Sequence, residues 1–269
     1  MRDRGRRTDL LIVLSYMILA LAFFGPVTLG GKTMLPADSV FAWDPWQSYA
    51  AQAGVTTPHN GLVADLYLEN YAWKRLIVHA LRDRALPLWN PYLFAGVPFW
   101  AAGQHSALYP LSALFYILPI PLAFGWFAAL HLFLAGVWTY VLARCLGLRR
   151  AAAMLSGAAF MFSGFVVTHN VFPMIMAAIV WLPLILAVIE RVVRRAESGA
   201  HMPLRQVPDL LIGALALGMV TLAGHPEMYY YVGLVSVAFA LWRLASLGRA
   251  RGLPAALQTD ACPERVSGT

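Results

Sequence analysis

Residues 122–146 read LAFGWFAALHLFLAGVWTYVLARCL and determine the fold class. A helix needs about 20 mostly apolar residues to cross the hydrocarbon core of a bilayer, and this run carries only one formal charge, at Arg144. Other apolar runs resemble it: Leu10–Leu29, Ala152–Thr168, Phe172–Val192, Leu210–Ala223 and Met228–Leu247. The pattern predicts an all-α integral membrane protein with about six transmembrane helices.

The composition of the chain also favours the bilayer as its solvent. Of its 269 residues, 60% are hydrophobic and 12% are charged, whereas soluble domains average about 25% charged residues. The formal net charge is +7. The arginines stand at the ends of apolar runs, where they orient helices, so the positive charge does not indicate nucleic-acid binding.

Arginine placement predicts the topology. The basic clusters are Arg2/Arg4/Arg6/Arg7, Arg144/Arg149/Arg150, Arg191/Arg194/Arg195/Arg205 and Arg243/Arg249/Arg251. Positive residues favour the cytoplasmic side of short loops, and all the clusters share that side only if the proline-containing run Leu108–Pro121 does not cross. We therefore expect residues 1–247 to form a polytopic membrane domain with both termini in the cytoplasm. Residues 31–106 form a large first extracytoplasmic loop, and residues 248–269 a disordered cytoplasmic tail.

The large loop is predicted to contain a helix that lies along the membrane surface. Within Leu66–Arg84, the residues Trp73, Leu76, Ile77, Ala80 and Leu81 recur at helical spacing. Lys74, Arg75, Arg82 and Asp83 fall on the opposite side. Trp43, Trp46, Trp89 and Trp100 have the residue type that anchors proteins at membrane interfaces.

Asp65 is the first candidate for chemistry in this loop. A carboxylate at a membrane surface, partly desolvated by Tyr67, Tyr71 and Trp73, could have a pKa suited to a general base. The structural alternative is that Asp65 caps the helix that follows it. Asp38 and Asp44 flank Pro36 and Pro45, and turn formation explains them as well as function does.

Polar residues beside the apolar runs give further candidates on the same face. His169 and His225 end two spans, where histidine could bind phosphate, transfer a proton or ligate a metal, or could simply be an interfacial polar residue. Glu227 follows Pro226 at a helix start, a favourable place for an acid. Gln104 and His105 precede the Tyr109-Pro110 turn. His131 lies inside a span, where a buried hydrogen bond between helices is the default explanation.

The sequence does not indicate a cofactor. Cys145 and Cys262 form no disulfide framework, and no cysteine and histidine spacing resembles a zinc site. A divalent metal is left open.

Several ordered segments resemble the YfhO-like family of bacterial membrane proteins. They are Leu35-Pro36-Ala37-Asp38, Asp44-Pro45-Trp46, Pro58-His59-Asn60, Asp65 with Tyr71 and Trp73, the string PLWNPYLFAGVP at 87–98, QHSALYP at 104–110, and Gly224-His225-Pro226-Glu227. The resemblance covers about residues 10 to 247, the N-terminal part of a longer family. Two positions depart from it: glutamine is commoner than Glu227, and relatives usually read Asn-Pro-Gln-Ser near His105.

The resemblance implies a membrane glycosyltransferase of the GT-C type in the bacterial inner membrane. Such enzymes transfer a sugar from a polyprenyl-phosphate carrier to a cell-envelope polymer or glycolipid, on the extracytoplasmic face. An aspartate in the first external loop acts as the base and matches Asp65. Lys74, Arg75, His169 and His225 are candidates to steady the departing phosphate. The wider substrate-binding set adds Asp38, Glu69, Gln104, His105 and Glu227.

Two other interpretations compete with the transferase. One is a non-enzymatic transporter or lipid-binding subunit, which would place ionisable residues in a path through the spans; only His131 is so placed. The other is an inactive fragment of a longer glycosyltransferase.

Overall fold

The computed structural model describes residues 2–58, 60–197 and 203–252. His59, Cys262 and the predicted tail beyond residue 252 lie outside the described residues.

The described chain is mostly helical. In the N-terminal half, the helices are α1 (Arg2–Phe23), α2 (Gly25–Thr28), α3 (Ala72–Arg82), α4 (Phe99–Ala102), α5 (Leu114–Ile117) and α6 (Ile120–Cys145). The second half contains α7 (Arg150–Met161), α8 (Gly164–His169), α9 (Pro173–Ile179), α10 (Leu182–Glu197), α11 (Pro203–Leu222) and α12 (Pro226–Gly252). Proline stands in the first turn of α6 and α9, where its missing N–H removes no helical hydrogen bond.

Part of the predicted set of transmembrane helices is confirmed as long apolar helices. Among the described residues, three helices are long and apolar enough to cross a bilayer: Ile120–Cys145, Pro173–Glu197 and Pro226–Arg249. Gln206–Leu222 is apolar but shorter. The proline-containing run at 108–121 forms only short turns, a 3-10 helix at Pro110–Ala113 followed by α5. The number of six spans stays a prediction.

Helix α6 is the centre of the bundle and contacts α1, α7 and α10. Its buried positions include the small residues Ala128, Ala135 and Gly136, which allow neighbouring helices to approach closely. The buried Tyr16 of α1 fills the space beside Gly136 and Gly157. Its hydroxyl donates a hydrogen bond to the carbonyl of Met154 at 2.7 Å. By contrast, only 11% of the apolar stretch of α12 is buried, as expected of a helix that faces lipid.

Charged residues from several helices meet at one end of the bundle. Glu190 of α10 accepts hydrogen bonds from Arg194 and from Arg243 of α12, each at 2.6 Å. Asp209 of α11 pairs with Arg191 at 2.9 Å and Arg195 at 2.6 Å. At the N-terminal end of α1, Asp9 binds Arg150 at 2.8 Å and Tyr140 at 2.6 Å.

The segment between α2 and α5 is compactly folded. It contains 3-10 helices at Ala37–Ala42, Trp46–Tyr49 and Gly61–Val63, and a π-helical turn at Leu66–Tyr71 that continues into α3. A short antiparallel hairpin follows, in which β1 (Trp89–Asn90) pairs with β2 (Val97–Pro98). Gly96, at φ 117°, lies against the indole ring of Trp89, where a Cβ would overlap it. Because the π-helical turn and α3 together cover Leu66–Arg82, the prediction of a helix at Leu66–Arg84 is confirmed to within two residues. The sequence predicts no strand where the hairpin lies.

Candidate functional site

The loop closes directly onto the turn between α11 and α12. The hydroxyl of Ser106 donates a hydrogen bond to the carbonyl of Ala223 at 2.6 Å. Beside it, the backbones of Gly103 and Gly224 touch, so that a Cβ on Gly224 would overlap the carbonyl oxygen of Gly103. Both glycines have positive φ, at 69° and 78°, a conformation that glycine adopts without steric cost. Gln104 and His105 are thereby held next to the turn that carries His225.

Helix α3 is attached to the same block by Lys74. Its ammonium donates a hydrogen bond to the carbonyl of His105 at 2.6 Å and lies 4.7 Å from the centre of the Phe115 ring. The side chain is 2% exposed and is buried together with Ile77, so the prediction that Lys74 lies on the side opposite the apolar stripe is wrong. Its amine finds partners in the interior that helical spacing cannot reveal. Burial lowers the pKa of Lys74 to about 7.

His105 is buried, and both of its ring nitrogens are occupied. Nδ1 accepts the backbone N–H of Ala107 at 3.1 Å, and Nε2 donates to the carbonyl of Phe99 at 3.1 Å. The ring stacks on Phe99, with ring centres 4.3 Å apart. Burial, and then the charge of Lys74, lower the pKa of His105. In this arrangement His105 and Lys74 fix the position of α3.

A second buried network anchors the end of the loop in the bundle. The hydroxyl of Tyr109 donates to Nε2 of His131 at 2.8 Å and accepts the indole N–H of Trp181 at 3.0 Å. Nδ1 of His131 donates to the carbonyl of Phe127 at 2.7 Å. The prediction that His131 makes a buried hydrogen bond is confirmed, but its partners are Tyr109 of the loop and Phe127 of its own helix, not a second transmembrane helix. Both ring nitrogens of His131 therefore have partners, and the ring is closed to solvent.

A cavity of about 880 Å³ lies between α3 and the β1–β2 hairpin; we call it the hairpin cavity. Its polar lining is Glu69, Arg75, His79, Asp83 and Asn90. Its aromatic lining is Trp73, Tyr92 and Phe94. The apolar stripe predicted for α3 is thus divided: Ile77 is buried in the core, whereas Trp73 and Leu76 face this cavity. Aromatic faces beside carboxylate, amide and guanidinium groups suit a ligand that is partly apolar and rich in hydrogen-bonding groups.

The carboxylates of Asp65 and Glu69 lie about one helical turn apart. Asp65 is exposed and stands directly before the π-helical turn, but its side chain makes no capping hydrogen bond. The prediction that the Asp65 side chain caps the helix that follows it is therefore wrong. Burial, with a smaller contribution from the charge of Asp65, raises the pKa of Glu69. Asp65 lines neither of the two cavities described for this region.

A second cavity, of about 650 Å³, lies on the other side of α3; we call it the basic cleft. Its α3 wall carries Arg75, His79 and Arg82, and its opposite wall is formed by residues 115–121 at the start of α6. No carboxylate is among the residues that line it. Arg75 and His79 line both cavities. Sequence reasoning assigned no function to His79 or Arg82, although both follow Arg75 at helical spacing.

The other predicted residues are dispersed. Asp38 is half-buried in the 3-10 helix at Ala37–Ala42. His169 ends α8, stacks on Phe165 at 4.1 Å and is bonded to the carbonyl of Phe165. His225 accepts the backbone N–H of Met228 through Nδ1 at 3.3 Å, and Glu227 accepts the hydroxyl of Tyr231 at 2.9 Å. Within the described ranges, no group of three or more histidine, cysteine or acidic side chains could hold a metal ion.

Comparison with known proteins supports the resemblance over part of the chain. Residues 99–205 match the family model of the bacterial membrane protein YfhO. The YfhO match begins at α4 and includes Gln104, His105 and the Tyr109–His131–Trp181 network. Asp65, α3 and the hairpin lie before it. No match was found among curated proteins or among solved structures.

Proposed function

We propose that this membrane protein transfers a sugar from a polyprenyl-phosphate carrier to a cell-envelope polymer or glycolipid, on the extracytoplasmic face. The observation that carries the proposal is the hairpin cavity, in which Glu69 and Arg75 stand beside the aromatic rings of Trp73, Tyr92 and Phe94. A sugar ring can stack on such aromatic faces while its hydroxyls bond to the charged groups. The YfhO match and the apolar helices support the membrane setting of the reaction.

The proposed topology has six spans in the bacterial inner membrane, with both termini in the cytoplasm and the loop at residues 31–106 outside. It is supported by the contact of Ser106 with Ala223, which joins the loop to the α11–α12 turn. It is also supported by the charged cluster around Glu190, which brings arginines of α10 and α12 together. Arginine-rich helix ends favour the cytoplasmic side.

In the proposed reaction, the acceptor hydroxyl oxygen attacks the anomeric carbon of the carried sugar. The bond from that carbon to the phosphate oxygen breaks, and its electron pair leaves with the phosphate. Asp65 takes the proton of the attacking hydroxyl. Arg75, with no carboxylate partner in the described part of the chain, stabilises the charge on the leaving phosphate.

The remaining predicted substrate-binding residues keep supporting roles in the proposal. Glu69 lines the hairpin cavity and binds sugar hydroxyls. Asp38, Gln104, His169, His225 and Glu227 belong to the extracytoplasmic surface that receives the acceptor. Lys74 and His105 hold α3 in place from the interior.

The test is complementation of a deletion strain, read out as the glycan composition of the cell envelope. We expect the wild type to restore the missing sugar and Asp65→Asn to fail at equal membrane abundance. Asp44→Asn is the matched control, because Asp44 is an exposed carboxylate of the same loop and has no role in the proposed reaction. Equal rescue by Asp65→Asn and wild type would remove Asp65 from the base role. In that case, failure of Glu69→Gln would transfer the role to Glu69.

A further inference from the structure

We infer that the basic cleft is a binding site for the phosphate group of a lipid. The inference deepens the proposed function and rests on it for Arg75, which the proposed reaction places at the phosphate of the lipid carrier. It concerns binding alone and requires neither a reaction nor Asp65.

The position of the cleft points to a ligand at the membrane surface. One wall is α3, and the other is the segment at 115–121, which leads into α6. Helix α6 is a candidate membrane span that begins at Ile120. The cleft therefore opens where a transmembrane helix enters the bilayer, which is the level of lipid phosphates.

The charge on the α3 wall is positive and is not neutralised from within the cleft. Arg75, His79 and Arg82 follow one another at i, i+4 and i+7, so they share one face of the helix. In the described ranges, no carboxylate lies within salt-bridge distance of Arg75 or Arg82, and Arg75 only approaches the ring of Tyr71, at 6.0 Å. Guanidinium groups bind phosphate oxygens through paired hydrogen bonds. The hairpin cavity differs, because Glu69 and Asp83 in its lining would repel an anion.

The opposite wall of the cleft is apolar and selects a lipid over a free anion. Ile117 is 78% exposed, and Pro119, Ile120 and Pro121 continue the wall toward the span. A soluble phosphate would satisfy the arginines but leave this surface in water. A lipid satisfies both walls, with its phosphate on Arg75 and Arg82 and its hydrocarbon chain along Ile117 and Ile120.

The experiment is native mass spectrometry of the full chain in uncharged detergent. Four probes are added separately: a prenyl monophosphate, phosphatidylglycerol, phosphatidylcholine and inorganic phosphate. We expect retention of the first two in excess of the last two. Tighter retention of the prenyl phosphate would identify a carrier lipid as the source of the phosphate, and equal retention would identify bilayer phospholipid; both outcomes support a lipid-phosphate site.

Three variants test whether lipid retention depends on the basic cleft or on a general attraction of the basic protein for anions. Arg82→Gln should weaken retention of anionic lipid about fivefold, the effect of one basic residue near an anionic surface. Arg84→Gln is the matched control, since Arg84 is an exposed arginine of the same segment that lines neither cavity. Ile117→Asn should weaken retention of lipid while leaving that of inorganic phosphate unchanged. Elution of each variant as a single species from size-exclusion chromatography controls for folding.

Two results would overturn the inference. One is an equal effect of Arg82→Gln and Arg84→Gln on lipid retention. The other is retention of inorganic phosphate as strong as that of the lipids. The experiment measures no sugar transfer, so failure of the Asp65→Asn test leaves this inference standing, and its own failure leaves the proposed function to be tested separately.

Discussion

At the residue scale, Lys74 lies inside the fold and joins α3 to the segment that carries His105. The sequence places it on the polar side of a surface helix, because its neighbours Arg75 and Arg82 are charged. In the structure it points inward, where the carbonyl of His105 and the ring of Phe115 receive its amine. Both partners are distant in the chain, so no local pattern could have indicated this placement. Of the α3 residues that line the basic cleft, Arg75 was already a candidate for the phosphate, whereas His79 and Arg82 were visible only as helical spacing without a function.

The buried amine of Lys74 predicts a pH-dependent stability. Its pKa is lowered to about 7 in the folded chain, against about 10.4 in an unfolded one. Between these two pKa values, Lys74 carries a proton in the unfolded chain that it lacks in the folded one. Raising the pH from 7 to 10 therefore increases the free energy of unfolding. We expect Lys74→Met to remove this rise in thermal unfolding midpoint, measured in detergent.

Lys32→Met is the control for that measurement, because Lys32 is exposed. It should keep the same pH dependence as the wild type. An unchanged slope in Lys74→Met would contradict the buried position of the amine.

At the element scale, the loop segment Gly103–Ser106 joins the turn between α11 and α12, and α3 is attached to that segment through Lys74. Helix α3 could be predicted because its apolar residues recur at helical spacing over several turns. The hairpin could not, since each of its strands has only two residues and no alternating pattern develops over that length. The contact of Gly103 with Gly224 could not be predicted either, because it joins residues more than a hundred positions apart.

This contact predicts a strong effect of adding one methyl group. Gly224→Ala should lower the thermal unfolding midpoint, because a Cβ would overlap the carbonyl of Gly103 and the positive φ alone costs about 1–2 kcal/mol. It should also accelerate tryptic cleavage after Arg84, as the loop separates from the helices.

Gly218→Ala provides the comparison for Gly224→Ala. Gly218 lies within α11, and a Cβ added there would meet nothing within 4 Å, so we expect a neutral effect or a gain of about 0.5–1 kcal/mol. Equal behaviour of the two variants would show that the loop does not rest on the turn.

At the scale of the whole molecule, the two ends of the bundle differ in chemistry. One end holds the buried carboxylates Glu190 and Asp209 with their arginines. The other receives the loop through Ser106 and Ala223. The apolar runs and arginine clusters predict this division, since span length and charge placement are properties of the sequence itself. The shape of either cavity depends on packing between distant segments, which the sequence does not display.

The division predicts the result of cysteine labelling in intact cells. In a background without Cys145 and Cys262, Asp44→Cys and Glu227→Cys should react with a membrane-impermeant maleimide. Arg149→Cys should react only after permeabilisation, because it lies between α6 and α7 at the arginine-rich end. Labelling of positions 44 and 227 from opposite sides of the membrane would contradict the proposed topology.

The paired carboxylate of Glu190 also bears on the order in which the bundle is assembled during synthesis. Arg194 is available to it within the same helix, but Arg243 emerges 53 residues later in the chain. A buried carboxylate that lacks part of its hydrogen bonding is costly, so the packing of α10 is complete only after α12 has been synthesised and inserted. Helix α12, although little of its own surface is covered, then supplies Arg243 to the carboxylate of Glu190 and stabilises α10 in its final position.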